Sequence, residues 1–118
     1  MDTQCTIYQT IDIISKRWAL LVILELHRGG SGPKRFSGIR KSIKWITPRV
    51  LSARLLELQD QGLIRKECHK GKTVTTYYSL TQKGKDLIPL LQSIKSWGLR
   101  WNAKNPACKK SSCGECSL

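Results

Sequence analysis

A chain of 118 residues with 21 Lys and Arg against 8 Asp and Glu, formal charge +13, can bury one small core and favours a polyanionic partner, because each phosphate it neutralises releases condensed counterions. With so few carboxylates, two histidines and no phosphate-cradling glycine motif after a strand, no catalytic arrangement can be assembled, so an enzyme is excluded. The longest apolar run, Trp18 to Leu26, is too short to span a bilayer, the start lacks a signal-peptide pattern, and the cysteines are odd in number, which together point to a cytoplasmic protein with reduced thiols.

From the N-terminus, a first helix is expected over about 6–15, with a second apolar run from Lys16 to His27 filling the interior. Cys5 stands ahead of them; Lys16 and Arg17 follow closely and would favour its thiolate, which makes it a redox-sensing candidate, although a free cysteine also serves as a small buried hydrophobe. Gly29, Gly30, Gly32 and Pro33 mark a linker. A helix-turn-helix is expected over about 35–61. Its second helix begins sharply, with Thr47 as N-cap and Pro48 at the first helical position, where a missing N–H costs nothing. Leu51, Leu55 and Leu58 form its inner face and Gly62 ends it, so Arg49, Ser52 and Ala53 point outward with Arg54 on the flank.

A hairpin over about 63–80 follows: two β-branched and aromatic runs, Leu63–Cys68 and Val74–Leu80, joined by His69-Lys70-Gly71-Lys72-Thr73. The last helix is expected over about 82–101, capped by Thr81, with Leu87, Leu90, Leu91, Ile94, Trp97 and Trp101 recurring at helical spacing. That is more apolar surface than a small domain needs on a terminal helix, so a partner is expected there. The fold class is therefore mainly α with a small β-hairpin wing, an α+β winged helix-turn-helix with N- and C-terminal dimerisation helices in one domain over 1–102, followed by a Cys- and Lys-rich flexible tail over 103–118.

Charge patterning selects the partner. No carboxylate occurs from Leu26 to Leu56, which holds Arg28, Lys34, Arg35, Arg40, Lys41, Lys44, Arg49 and Arg54, and none from Cys68 to Lys85. A solvated face normally mixes signs. Double-stranded DNA is thus the expected partner, with no membrane.

The residues also carry a family resemblance. Cys5, Lys16-Arg17-Trp18, the Leu20–Leu26 run, Arg35-Phe36-Ser37-Gly38-Ile39-Arg40, Ile46-Thr47-Pro48-Arg49-Val50-Leu51-Ser52-Ala53-Arg54-Leu55, Gly62-Leu63-Ile64-Arg65, Tyr78-Ser79-Leu80-Thr81 and Trp97-Gly98 occur in order. In this the chain resembles the HxlR-type branch of MarR-like winged-helix transcriptional regulators from about Cys5 to Trp97. It departs in having Thr6 after Cys5 where proline is usual, and a wing rich in Lys and Gly. The resemblance implies a DNA-binding homodimer, some of whose members sense thiol-reactive compounds through an N-terminal cysteine.

Site roles follow as expectations. Thr47, Arg49, Ser52 and Ala53 meet base edges, Arg49 as a bidentate partner of guanine, while Arg54 grips phosphate. Arg35, Ser37 and Lys41 on the preceding helix, and Lys70, Lys72 and Thr73 in the wing, neutralise backbone or enter the minor groove. Leu87, Leu91, Ile94, Trp97 and Trp101 form the dimer interface, and two recognition helices about 34 Å apart then meet successive turns of one DNA face. Cys108, Cys113 and Cys116 contain half a tetrahedral zinc site, but with no second ligand pair in the sequence no cofactor is expected. The alternative to a sequence-specific regulator is a sequence-tolerant winged-helix protein associated with chromatin or RNA, since high positive charge alone supports non-specific binding.

Overall fold

Apolar residues at three- and four-residue spacing decide where the core lies. Ala19, Val22, Ile23 and Leu26 line one side of α2 (Ala19–His27), and Leu51, Leu55 and Leu58 line one side of α4 (Pro48–Asp60); all are buried. Ile39 and Ile43 from α3 (Phe36–Ser42) and its following turn, with Ile46, Leu63, Ile64 and Leu80, complete the cluster. The computed structural model describes residues 2–30 and 32–101. The expected tail over 103–118, and with it the zinc reading of Cys108, Cys113 and Cys116, lies outside the described residues.

The wing is a three-stranded antiparallel sheet in the order β1-β3-β2. β2 (Ile64–Lys70) and β3 (Val74–Leu80) form the hairpin, in register from Ile64 opposite Leu80 to Lys70 opposite Val74. The third strand, β1 (Lys34–Arg35), was not expected: Lys34 pairs with Tyr78 and Arg35 with Tyr77. Arg35 is accordingly a strand residue and the N-cap of α3, not a member of that helix. Such a short polar strand has no periodicity of its own and exists because β3 offers a free edge.

Both ends of α4 are chemically defined. The Thr47 hydroxyl accepts the Val50 N–H at 3.2 Å and Pro48 occupies the first turn. At the other end Gly62 takes φ +74°, its N–H donates to the Gln59 carbonyl at 3.0 Å, and the Leu63 N–H donates to the Leu58 carbonyl at 2.9 Å. That pair of bonds is a Schellman motif, which needs a left-handed residue and hence glycine. Two carbonyls that the cap leaves open then take side chains: the Thr81 hydroxyl donates to Gly62 O at 2.5 Å and Lys83 Nζ to Gln61 O at 2.7 Å, fastening the end of the wing to the end of α4.

Three boundaries differ from expectation. α1 spans Thr6–Ile14, and α2 begins at Ala19 and not Lys16, because Trp18 adopts φ +77° and ends the helical path between them. The terminal helix is two: α5 (Gln82–Lys85) and α6 (Ile88–Trp101). Pro89 has no N–H to donate to the carbonyl of Lys85, and its ring would collide with that carbonyl, so the chain turns at Asp86 and Leu87 and restarts with Pro89 in the first turn. Leu87 and Leu91, expected at the dimer interface, pack against the protomer's own core. Ile94, Trp97 and Trp101 remain exposed, as do Ile7, Tyr8 and Ile11 of α1.

Candidate nucleic-acid interface

The outward side of α4 is set by its inward side. With about 100° per residue, Arg49, Ala53 and Leu56 fall within about 60° of one another and opposite Leu51 and Leu58. Arg49, Ser52, Ala53 and Thr47 are all exposed there. Leu56 belongs to the same strip at 60% exposure. It was missed because it adjoins Leu55 and reads as core, although the helical wheel alone places it outside; an apolar side chain on such a face suits a thymine methyl.

The structure thins the cation count. Glu25, immediately before the acid-free window, is buried and pairs with Arg28 at 3.1 Å and Lys34 at 3.5 Å. Lys34 Nζ also donates to the carbonyls of Glu25 and Arg28, closing the α2–β1 loop over the carboxylate. Glu57, immediately after the window, takes Arg54: Nη1 donates to both carboxylate oxygens at 3.1 and 3.0 Å while Nε donates to Arg17 O at 2.8 Å. Arg54, expected on phosphate, is therefore an internal brace between α4 and the α1–α2 connection, which Lys16 joins through Glu57 at 3.2 Å.

Cations do face solvent on the helix-turn-helix and at the wing tip. Arg40, Lys41, Lys44 and Arg49 are exposed and have no ion-pair partner among the described residues. Lys70, Lys72 and Thr73 are exposed around the hairpin turn. Arg35 is held at the root of the wing, donating to Thr75 Oγ1 at 3.3 Å with its guanidinium 5.9 Å from the Tyr77 ring centre. The expected site thus separates into an exposed outward strip on α4, a cationic α3, and a wing tip that β2 carries away from the core.

Between α3 and the turn to α4 lies a hollow of about 290 Å³, lined by Ser37, Arg40, Lys41, Lys44 and Trp45 over a floor of Ile43 and Ile46. Trp45 is 91% exposed with φ +75°. A left-handed conformation costs a residue with a side chain about 1–2 kcal/mol. Neither Trp45, Arg40 nor Lys44 was among the expected site residues; strain and exposure are not visible in a sequence.

Cys5 is half-buried and is the N-cap residue of α1, with no side-chain capping bond. Cys68 is exposed on β2, its Sγ 3.8 Å from Thr76 Oγ1. Among the described residues no group of three or more His, Cys, Asp or Glu is placed to hold a metal ion, and no helix is long and apolar enough to cross a membrane.

Comparison with known proteins agrees with this geometry. The family model described as HxlR-like helix-turn-helix matches residues 13–106. The HTH-type transcriptional regulator YvaP of Bacillus subtilis (strain 168) is 39% identical over 93 residues, covering 79% of this chain and 83% of its own. A MarR-family transcriptional regulator from Porphyromonas gingivalis W83 superposes with a TM-score of 0.78 at 26% identity, over 87% of this chain and 97% of that one. The redox regulator HypR in its reduced form gives 0.69 at 30% identity, over 81% of this chain and 92% of that one.

Proposed function

The chain belongs to the HxlR-like helix-turn-helix family, and from that premise we propose that this transcriptional regulator of the helix-turn-helix type is a sequence-specific, cytoplasmic DNA-binding homodimer. The observation that carries the reading is the outward strip of α4, free of carboxylates at Thr47, Arg49, Ser52, Ala53 and Leu56, with the basic wing tip beyond it. A strip of that width fits a major groove, and two of them related by a two-fold axis would read a palindrome.

Selection of sites from random duplex DNA tests it. A regulator is expected to prefer the selected duplex over a scrambled one by about a thousandfold or more at physiological salt. Equal binding of any duplex or of RNA would favour the sequence-tolerant alternative. Within the strip, Arg49→Ala is expected to cost about 1–3 kcal/mol on the selected site and much less on scrambled DNA. A uniform loss on both would assign Arg49 to phosphate.

Cys5 is the proposed input. It sits at the N-terminus of α1, half-buried, and the far end of α1 leads through Lys16, which with Arg54 holds Glu57 of α4. Oxidation that displaces α1 would then re-aim the base-reading helix. Hydrogen peroxide, which would convert the Cys5 thiol to a sulfenic acid with release of water, is expected to lower duplex affinity of the unsubstituted protein about tenfold or more and to leave Cys5→Ser unaffected, with Cys68→Ser behaving as the unsubstituted protein. Identical responses of Cys5→Ser and the parent would remove Cys5 from the mechanism.

A further inference from the structure

We propose that the hollow between α3 and the turn to α4 seats one sugar-phosphate strand of the duplex, with Trp45 as its platform. The indole face would lie on a deoxyribose, its Nε1–H would donate to a phosphodiester oxygen, and Arg40, Lys41 and Lys44 would neutralise the phosphates on either side. This rests on the DNA-binding reading and adds to it a contact outside the base-reading strip.

Two costs meet in Trp45. The backbone is left-handed, which a glycine would adopt without strain, and the residue is 91% exposed, so little of its apolar surface is repaid within the protomer. Among the described residues no aromatic or cationic partner covers the ring. The position lies two residues before Thr47, the N-cap of the helix whose outward strip is proposed to read bases. Strain and exposure concentrated at such a place point to a contact made outside the chain.

The chemistry of the hollow names that contact. No carboxylate lines it, and its three cations have no ion-pair partner among the described residues. A second copy of a chain at +13 would bring more positive charge to it. A free phosphate would use the cations and leave the indole idle. A deoxyribose flanked by phosphates uses both, and the adjacent α4 places the strand beside the groove it enters.

The test measures binding of the full chain to the duplex recovered from random-DNA selection and to its scrambled counterpart. Trp45→Gly relieves the left-handed strain, so its melting temperature is expected to equal or exceed that of the unsubstituted protein. Its affinity is expected to fall about tenfold on both duplexes, with the salt dependence unchanged. The pair Arg40→Gln with Lys44→Gln is expected to lower the slope of log affinity against log salt by about 2, from counterion release at about 0.9 per phosphate. If the parent binds and Trp45→Gly binds as tightly, or if the paired variant keeps the full salt slope, the strand seat is wrong. If the parent binds neither duplex, the DNA reading falls and the seat with it.

Discussion

Replacing Gly84 by alanine is expected to cost about 3–4 kcal/mol and to lower the melting temperature by roughly 15–25 °C. A Cβ built there would stand 2.1 Å from the Leu63 carbonyl oxygen, 3.2 Å from its carbon and 3.1 Å from Leu80 Cδ2. None of these can swing aside. The Leu63 carbonyl accepts the Thr81 N–H at 3.1 Å, the Leu63 N–H completes the Schellman cap of α4, and the Leu63 and Leu80 side chains are buried. Thr81 accepts the Gly84 N–H at 3.2 Å, so a shift of α5 also breaks its own cap. Relief would have to come from separating the wing from α4, and the aim of the wing would move with it. Gly38 is the contrast: it lies within α3 with nothing within 4 Å, and Gly38→Ala is expected to be stabilising by up to about 1 kcal/mol from helix propensity. Thermal unfolding followed by circular dichroism checks both. A loss below about 5 °C for Gly84→Ala would mean that the junction yields, and the account of how the wing is fastened would have to change.

Helix α4 was legible because its signals are local. Thr47, Pro48 and Gly62 act within one turn of themselves, and the Leu51, Leu55, Leu58 spacing needs no knowledge of the partner surface. The hairpin was legible for a similar reason, with its turn narrower than expected, at Gly71 to Thr73. What escaped depends on contacts across the fold. β1 is a strand because of Tyr77 and Tyr78, more than forty positions on. The charge window from Leu26 to Leu56 overstated the free cations because the carboxylates that neutralise Arg28, Lys34 and Arg54 stand at its two edges, Glu25 and Glu57. Leu87 and Leu91 share the spacing of Ile94 and Trp97, and periodicity cannot say which turns of a helix face the protomer's core and which face outward. The break at Pro89 was present in the sequence, outweighed by the continuity of the apolar residues around it.

That division along the terminal helices sets the largest expected effect on binding. Ile94, Trp97 and Trp101 recur at three and four residues on α6, at 48%, 59% and 63% exposure, and α1 adds Ile7 at 62% and Ile11 at 51%. A small soluble domain rarely leaves so many large apolar side chains on terminal helices unless they meet a partner. A second copy would satisfy this with a two-fold axis, and the same axis would supply a second α4 to the proposed DNA contact. Trp97→Asp would place a carboxylate within that contact, where burial without a partner is prohibitive. Because Trp97 is mostly exposed in the protomer, the fold is expected to survive with an unchanged circular dichroism spectrum. The mass by light scattering at micromolar concentration is expected to fall from dimer to monomer. Affinity for a palindromic duplex is expected to drop by about a hundredfold or more, since the second half-site no longer binds at high effective concentration. Affinity for a duplex carrying one half-site is expected to be nearly unchanged, because the α4 strip proposed to read bases is intact in each protomer. A dimer that persists in Trp97→Asp would move the interface off α6, and a parent protein that is already monomeric would leave the apolar stripe to a different partner.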